Sequence, residues 1–280
     1  MRALDPEVAN AVWKATKGLL PAREDNHPLG CHNPRKPDRV CFQGILIRLA
    51  TGCSWETAEQ LLDKDVSDTT LRARRDEWTK AGVFENLEAE ALAAYDRVIG
   101  LDLSEVSVDG SQHKAPSGGE GTGKNPCDRA KSGPKWSLAV DRNGIPIGWA
   151  TNGANRHDSI LFQPTLEAVD RRGLLPDIET LHLDRGYDSK TVRALCDAAG
   201  ITDVICAKKK PRGQTGNTKT PAPLGMRWTV ERTNSWLTNY GQLRRNTDRN
   251  THHRHAQLNL AITLIITIKL IKWRDRWNLN

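Results

Sequence analysis

The sequence predicts an α/β fold: a mixed sheet flanked by helices, with an all-α region before it. Three observations predict it. Apolar residues recur at helical spacing from about residue 40 to 80. From Ser104 the period switches to the alternation of strands. After residue 150, short strands and helices take turns until two helices end the chain.

Residues 1–38 predict one helix and then an irregular arm, because Pro21, Pro28, Gly30, Pro34 and Pro37 crowd its second half. Phe42, Ile45, Leu46 and Leu49 form the first apolar helical face, which Thr51-Gly52-Cys53 breaks. Ser54 is a candidate N-cap for a helix running through Leu62, and Ser67-Asp68 for a third over residues 69–78. That third helix carries Arg72, Arg74 and Arg75. Helix, tight turn, helix and Arg-rich helix is the pattern of a helix-turn-helix, whose last helix lies in the major groove of DNA. An ordinary three-helix bundle with a charged face has the same pattern.

Val106 and Val108 define a strand ending at Asp109-Gly110. Trp136, Leu138 and Val140 alternate in a second, and Ile145, Ile147 and Trp149 in a third, joined by the hairpin turn Asp141-Arg142-Asn143-Gly144. A helix over 159–171, a strand over 180–184, a helix over 189–199 and a strand over 202–207 follow. A basic Pro/Gly-rich loop, 208–225, leads into helices over 226–240 and 254–273. Three antiparallel strands followed by helix–strand–helix–strand–helix is the order of an RNase H-like fold. The expected division is a helical region at 1–100, with the helix-turn-helix at about 40–80, and an RNase H-like catalytic domain at 101–280 with basic C-terminal helices.

Composition narrows the function. Of the 280 residues, 27% are charged and 38% hydrophobic, which excludes a disordered chain. The net charge is +7. It is unevenly spread: Ala207–Asn280 holds 15 Lys/Arg against 3 Asp/Glu, a local +12, while residues 1–206 carry 26 against 31, or −5. A basic quarter on a near-neutral body suits a polyanionic partner or a solvated basic tail. The six cysteines show no C-x-x-C spacing, and Met1–Pro6 has no apolar leader, so reduced thiols in a cytoplasmic protein are expected. The most apolar run, Leu260–Ile268, is nine residues with two Thr. A membrane span needs about 20, so a buried helix and no membrane partner are expected.

Three acids stand where chemistry is commonly built. Asp109 ends the first strand and Asp184 the fourth, where the carboxyl ends of neighbouring strands meet at one edge. Glu231 lies on the helix after the last strand. Each alone has a plainer reading, as a turn former, a cap or a helix-dipole partner. Three carboxylates converging without Lys or Arg among them repel unless a cation sits there. Mg²⁺ is the natural occupant, with Mn²⁺ as its substitute. Two such ions about 4 Å apart suit phosphodiester chemistry.

At these residues the chain resembles the DDE transposases of bacterial insertion sequences, in the IS-five-like group. The blocks are Val106-Ser107-Val108-Asp109-Gly110-Ser111, Leu183-Asp184-Arg185-Gly186-Tyr187-Asp188 and Arg227-Trp228-Thr229-Val230-Glu231-Arg232-Thr233-Asn234-Ser235-Trp236-Leu237. Gly153-Ala154-Asn155-Arg156-His157-Asp158 and Trp78–Phe84 are similar to further family segments. The resemblance implies that Asp109, Asp184 and Glu231 are the catalytic metal ligands, 75 and 47 residues apart. It implies Mg²⁺-dependent cleavage at transposon ends, transfer of the 3′-OH strand into target DNA, and a homodimer on DNA. Of the neighbouring signature Y-x₂-R-x₃-E-x₆-K, Arg227 and Glu231 are kept, but Leu224 and Thr238 replace the Tyr and Lys. Arg227 and Arg232 are candidates for the terminal phosphates. Lys135, Arg244 and Arg245 join Arg72, Arg74 and Arg75 as candidate DNA contacts.

Other patterns weigh less. Gly118–Lys124 fits most of a P-loop, but Asn125-Pro126 replaces the hydroxyl and the helix start, so a loop between strands is expected. His252, His253 and His255 sit beside Arg249 and Arg254 with no Cys nearby, so a phosphate-facing surface is favoured over zinc. Trp228 and Trp236, two helical turns apart, suit either core packing or stacking on an unpaired base. The competing functions are a silent DNA-binding repressor derived from a transposase and an RNase H-like host nuclease.

Overall fold

The computed structural model describes residues 4–22, 34–126, 128–206 and 226–278. Cys31, Cys127, the basic loop 208–225 and Leu224 lie outside the described residues. In chain order the elements are α1 (Pro6–Leu19), α2 (Asp38–Thr51), α3 (Trp55–Gln60), α4 (Asp68–Lys80), α5 (Val83–Val98), β1 (Glu105–Gln112), β2 (Gly123–Lys124), β3 (Ser132–Val140), β4 (Pro146–Gly153), α6 (Asp158–Asp170), β5 (Thr180–Leu183), α7 (Lys190–Ala198), β6 (Asp203–Cys206), α8 (Trp228–Thr238), α9 (Gly241–Arg244) and α10 (Thr251–Asn278). They fall where the spacing predicts, with α5, the short β2 and α9 as additions. Two compact units result: Met1–Ile99 with Leu237–Asn280, and Gly100–Trp236.

The first unit is all helix. Ser54 caps α3 by accepting from Thr57 N at 3.1 Å, and Ser67 caps α4 by accepting from Thr70 N at 3.3 Å. Gly52 ends α2 at φ +77°, and a Cβ there would stand 2.9 Å from the Gly241 backbone, so only glycine allows α2 and α9 to meet. Phe42, Leu46, Leu49, Leu71, Trp78 and Leu87 are fully buried. The C-terminal helices α9 and α10 pack within this unit. The physical reason lies in α10. Leu258 and Leu260 through Ile266 are apolar or small on every side and all buried, so they need helices around them. α1 and α5 supply that packing. By length and composition alone α10 could cross a membrane, yet 56% of its most apolar window is buried in the protein.

The second unit is built on one sheet. β1, β5 and β6 run parallel, and β3 lies antiparallel between β1 and β4, giving the order β4-β3-β1-β5-β6 with β2 on the end of β3. This is the RNase H-like order. β3 is buried from Gly133 to Val140, the pattern of a central strand covered on both faces. α6 comes so close to the sheet that a Cβ on Gly148 would meet the Val169 backbone at 2.9 Å. On the other face, Trp136 Nε1 donates to Asn234 Oδ1 of α8 at 2.9 Å, and Thr233 Oγ1 donates to Gly144 O at 2.7 Å.

Candidate active site

The register of β1 and β5 builds the site. Val108 pairs with Leu183, so the next residue on each parallel strand, Asp109 and Asp184, stand side by side. Asp184 also opens a single 3-10 turn, Arg185–Tyr187, and accepts from Arg185 N at 2.6 Å. That capping bond fixes its carboxylate at the sheet edge. Burial pushes Asp109 up to about 6; the Gly110 N–H and Arg227 oppose the shift, while Asp184 and Asp158 add to it.

Glu231 sits in the first turn of α8, with 55% of its side chain exposed. Arg227 lies one turn before it. Its Nη2 is 3.1 Å from Glu231 Oε1, and its Nη1 is 3.2 Å from Asp184 Oδ1. The expectation of three acids without Lys or Arg among them is therefore corrected. The i,i+4 spacing lays Arg227 over Glu231, and the other arm of its fork reaches Asp184. Among the described residues no group of three His, Cys, Asp or Glu is placed to hold a cation. The donor chemistry itself suits a hard divalent ion, being all carboxylate with one acid raised by burial and like charge.

Asp158 is a fourth acid that the spacing did not single out. It opens α6, and a Cβ on Gly110 would collide with its Oδ1, so its carboxylate lies against the β1 backbone beside Asp109. Lys135 neutralises it at 3.1 Å and donates to Arg156 O at 2.8 Å. Lys135 is only 3% exposed, which removes it from the expected DNA contacts. The signal for Asp158 was its place at the end of the block 153–158. Tyr187, buried against Phe162 at 5.8 Å between ring centroids, closes the floor.

The remaining candidates separate clearly. Arg232 donates to Asn143 O at 2.7 Å and lies between the rings of Trp228 and Trp236, 4.5 and 4.8 Å from their centroids. Trp228 is 52% exposed, so it is no core residue. In the helical unit Arg72 is half-buried, paired with Glu56 at 2.9 Å and Asp68 at 2.7 Å. Arg74 and Arg75 are buried, bound to Asp38 and Asp248 respectively. A guanidinium already sunk in an ion pair is spent on folding, so neither is a groove-facing contact. Arg244 and Arg245 are exposed. His253 pairs with Asp76 at 2.9 Å, and burial lowers His255 to about 4. Turns and β2, rather than a helix, occupy the P-loop-like segment.

A mixed sheet of this order, with Asp109 on β1 and Asp184 just after β5 at one edge, has the RNase H-like fold. The family "Transposase DDE domain" matches residues 100–267, and "Putative transposase of IS4/5 family" matches residues 8–88. The chain belongs to the DDE transposase family, in its IS4/5, IS402-like branch. It is 36% identical over 150 residues to "Putative transposase for insertion sequence element IS402" of Burkholderia cepacia, covering 51% of this chain and 67% of the relative. "Insertion element IS402 uncharacterized 16.2 kDa protein" of the same organism is 27% identical over 121 residues, covering 43% of this chain and 82% of the relative. The solved structure "Mos1 transposase paired-end complex with left transposon end" is similar at 12% identity, over 92% of this chain and 74% of that one, with a TM-score of 0.28. At that score the fold rests on the strand order, not on the likeness.

Proposed function

We propose that this chain is the transposase of an insertion sequence, cutting DNA at the element's ends and joining each exposed 3′-OH to target DNA. Asp109, Asp184 and Glu231 would hold Mg²⁺, or Mn²⁺ in its place. The single observation that carries the reading is the β1–β5 register, which sets Asp109 beside Asp184 while Arg227 ties Glu231 to the same edge. Bound divalent cations would supply polarisation of the scissile phosphate and relief of charge on the leaving 3′ oxygen.

The chain's own residues do the rest. Asp184 is held in place by its bond to Arg185 N. Asp109, ionised above about pH 6, is the acid most in need of a positive neighbour. Lys135 cancels the charge of Asp158, so that acid does not repel an incoming phosphate. Arg227 and Arg232, with exposed Trp228 beside them, offer forked donors and an aromatic face to DNA. Arg72, at the surface in a solvated ion pair, and the exposed Arg244 and Arg245 would bind the terminal inverted repeats. Pairing two ends requires at least a dimer on DNA.

Alanine at Asp109, Asp184 or Glu231 is expected to lower Mg²⁺-dependent nicking of repeat DNA by about 10³-fold or more, with duplex binding retained in a gel-shift assay. A variant that nicks at the wild-type rate removes that residue from the site.

A further inference from the structure

We infer that Arg227 is a resident counter-ion: in the DNA-free protein it holds the acids that the divalent cations need, and it yields them when a DNA phosphate arrives. This rests on the metal-site reading above. Arg227 spends both ends of its fork on Asp184 and Glu231, two of the three proposed ligands. A cation entering the site must compete with it for the same oxygens.

The arrangement also leaves Arg227 incompletely satisfied. Its Nε–H is buried and has no partner among the described residues. Two carboxylates on different elements each engage one nitrogen, so neither makes a parallel two-bond pair. A phosphate offers several oxygens to one fork and can engage its two Nη ends side by side, which the separate acids do not. The free acids would then take the cations. Loading of metal and docking of DNA become coupled through one side chain, and linkage makes the coupling reciprocal. The free protein is thereby kept from carrying a fully loaded hydrolytic site in the absence of its substrate.

The test is a Mn²⁺ titration of the full chain without DNA, reading free Mn²⁺ by electron paramagnetic resonance. Arg227→Gln and Arg227→Ala are both expected to bind Mn²⁺ about ten-fold tighter than wild type, the usual size of a coupling between two sites. The alanine variant guards against the Gln carbonyl acting as a new ligand. A short DNA duplex should tighten wild type and narrow its gap to both variants to under about three-fold. Equal or weaker Mn²⁺ binding in the two variants, with Asp109→Asn still lowering affinity, overturns the counter-ion role and leaves the acid site standing. If Asp109→Asn leaves Mn²⁺ binding unchanged, the acid site falls and the inference falls with it.

Discussion

Two desolvated aspartates, one in each unit, differ in how far their surroundings compensate the charge. Asp248 of the helical unit is 8% exposed. Burial is the largest influence on it and would raise its pKa, but Arg48 at 3.3 Å and Arg75 at 3.0 Å outweigh burial and hold it low. Asn246 Oδ1 accepts from its N–H, Gln257 donates to its side chain, and both arginines lie over Trp55. Asp109 of the sheet unit meets the same desolvation with weaker compensation. Its nearby acids and its own burial win, and its pKa rises to about 6. The helical unit offsets the buried charge internally, while the sheet unit leaves the desolvation of Asp109 uncompensated. Perturbed groups with incomplete pairing mark functional edges for this reason.

The largest effect should come from breaking the satisfied cluster. Asp248→Ala leaves Arg48 and Arg75 buried without their shared anion, so it is expected to cost about 3–5 kcal/mol in urea unfolding. Asp248→Asn should cost less, because it can still accept from one guanidinium. Equal stability of Asp248→Ala and wild type would show that the comparison misreads this cluster.

The opposite sign is expected at the sheet edge. Asp109 has a folded pKa of about 6 against an ordinary 3.8, so the folded state holds the extra proton between those values. Stability therefore falls as pH rises from about 4 to 6, and the loss persists above that window. Asp109→Asn removes the charge and should stabilise the metal-free protein by about 1–2 kcal/mol at pH 7.5, less than the full shift because the group is part-exposed. Thermal melts in chelator should show that gain shrinking towards pH 4. A variant no more stable than wild type at pH 7.5 would mean the acid is already neutralised in the fold.

The difference between the units also explains what the sequence could reveal. Strand order was legible because alternation at Val106 and Val108, Trp136 to Val140 and Ile145 to Trp149 is local, and so is the punctuation at Ser54 and Ser67. The pairing of Asp109 with Asp184 followed from that order, since parallel neighbours end at one edge. Glu231 and Arg227 were each legible in one block, but their ion pair to Asp184 depends on where α8 enters, which no local pattern records. Three arginines spaced 72, 74 and 75 look alike in sequence. Only the packing of α4 shows that two face Asp38 and Asp248. The partners of α10 were illegible for a similar reason: an all-round apolar helix declares that it is buried, not by which partners.

Those three arginines provide the smallest and most discriminating test. Arg72 has 43% of its side chain exposed, and its partners Glu56 and Asp68 are solvated. Surface pairs of this kind are worth little, so Arg72→Ala should change unfolding stability by no more than about 0.5 kcal/mol. If α4 faces DNA, the same substitution removes one phosphate or base-edge contact. Binding to the terminal repeat should weaken, with the slope of log affinity against log salt falling by about 1 when that contact is to phosphate. Arg74→Ala should do the reverse, destabilising the fold while leaving the salt slope of the folded fraction unchanged. An Arg72→Ala protein that binds the repeat as tightly as wild type at every salt concentration would move DNA recognition off α4, towards Arg244 and Arg245, and leave the helical trio as packing alone.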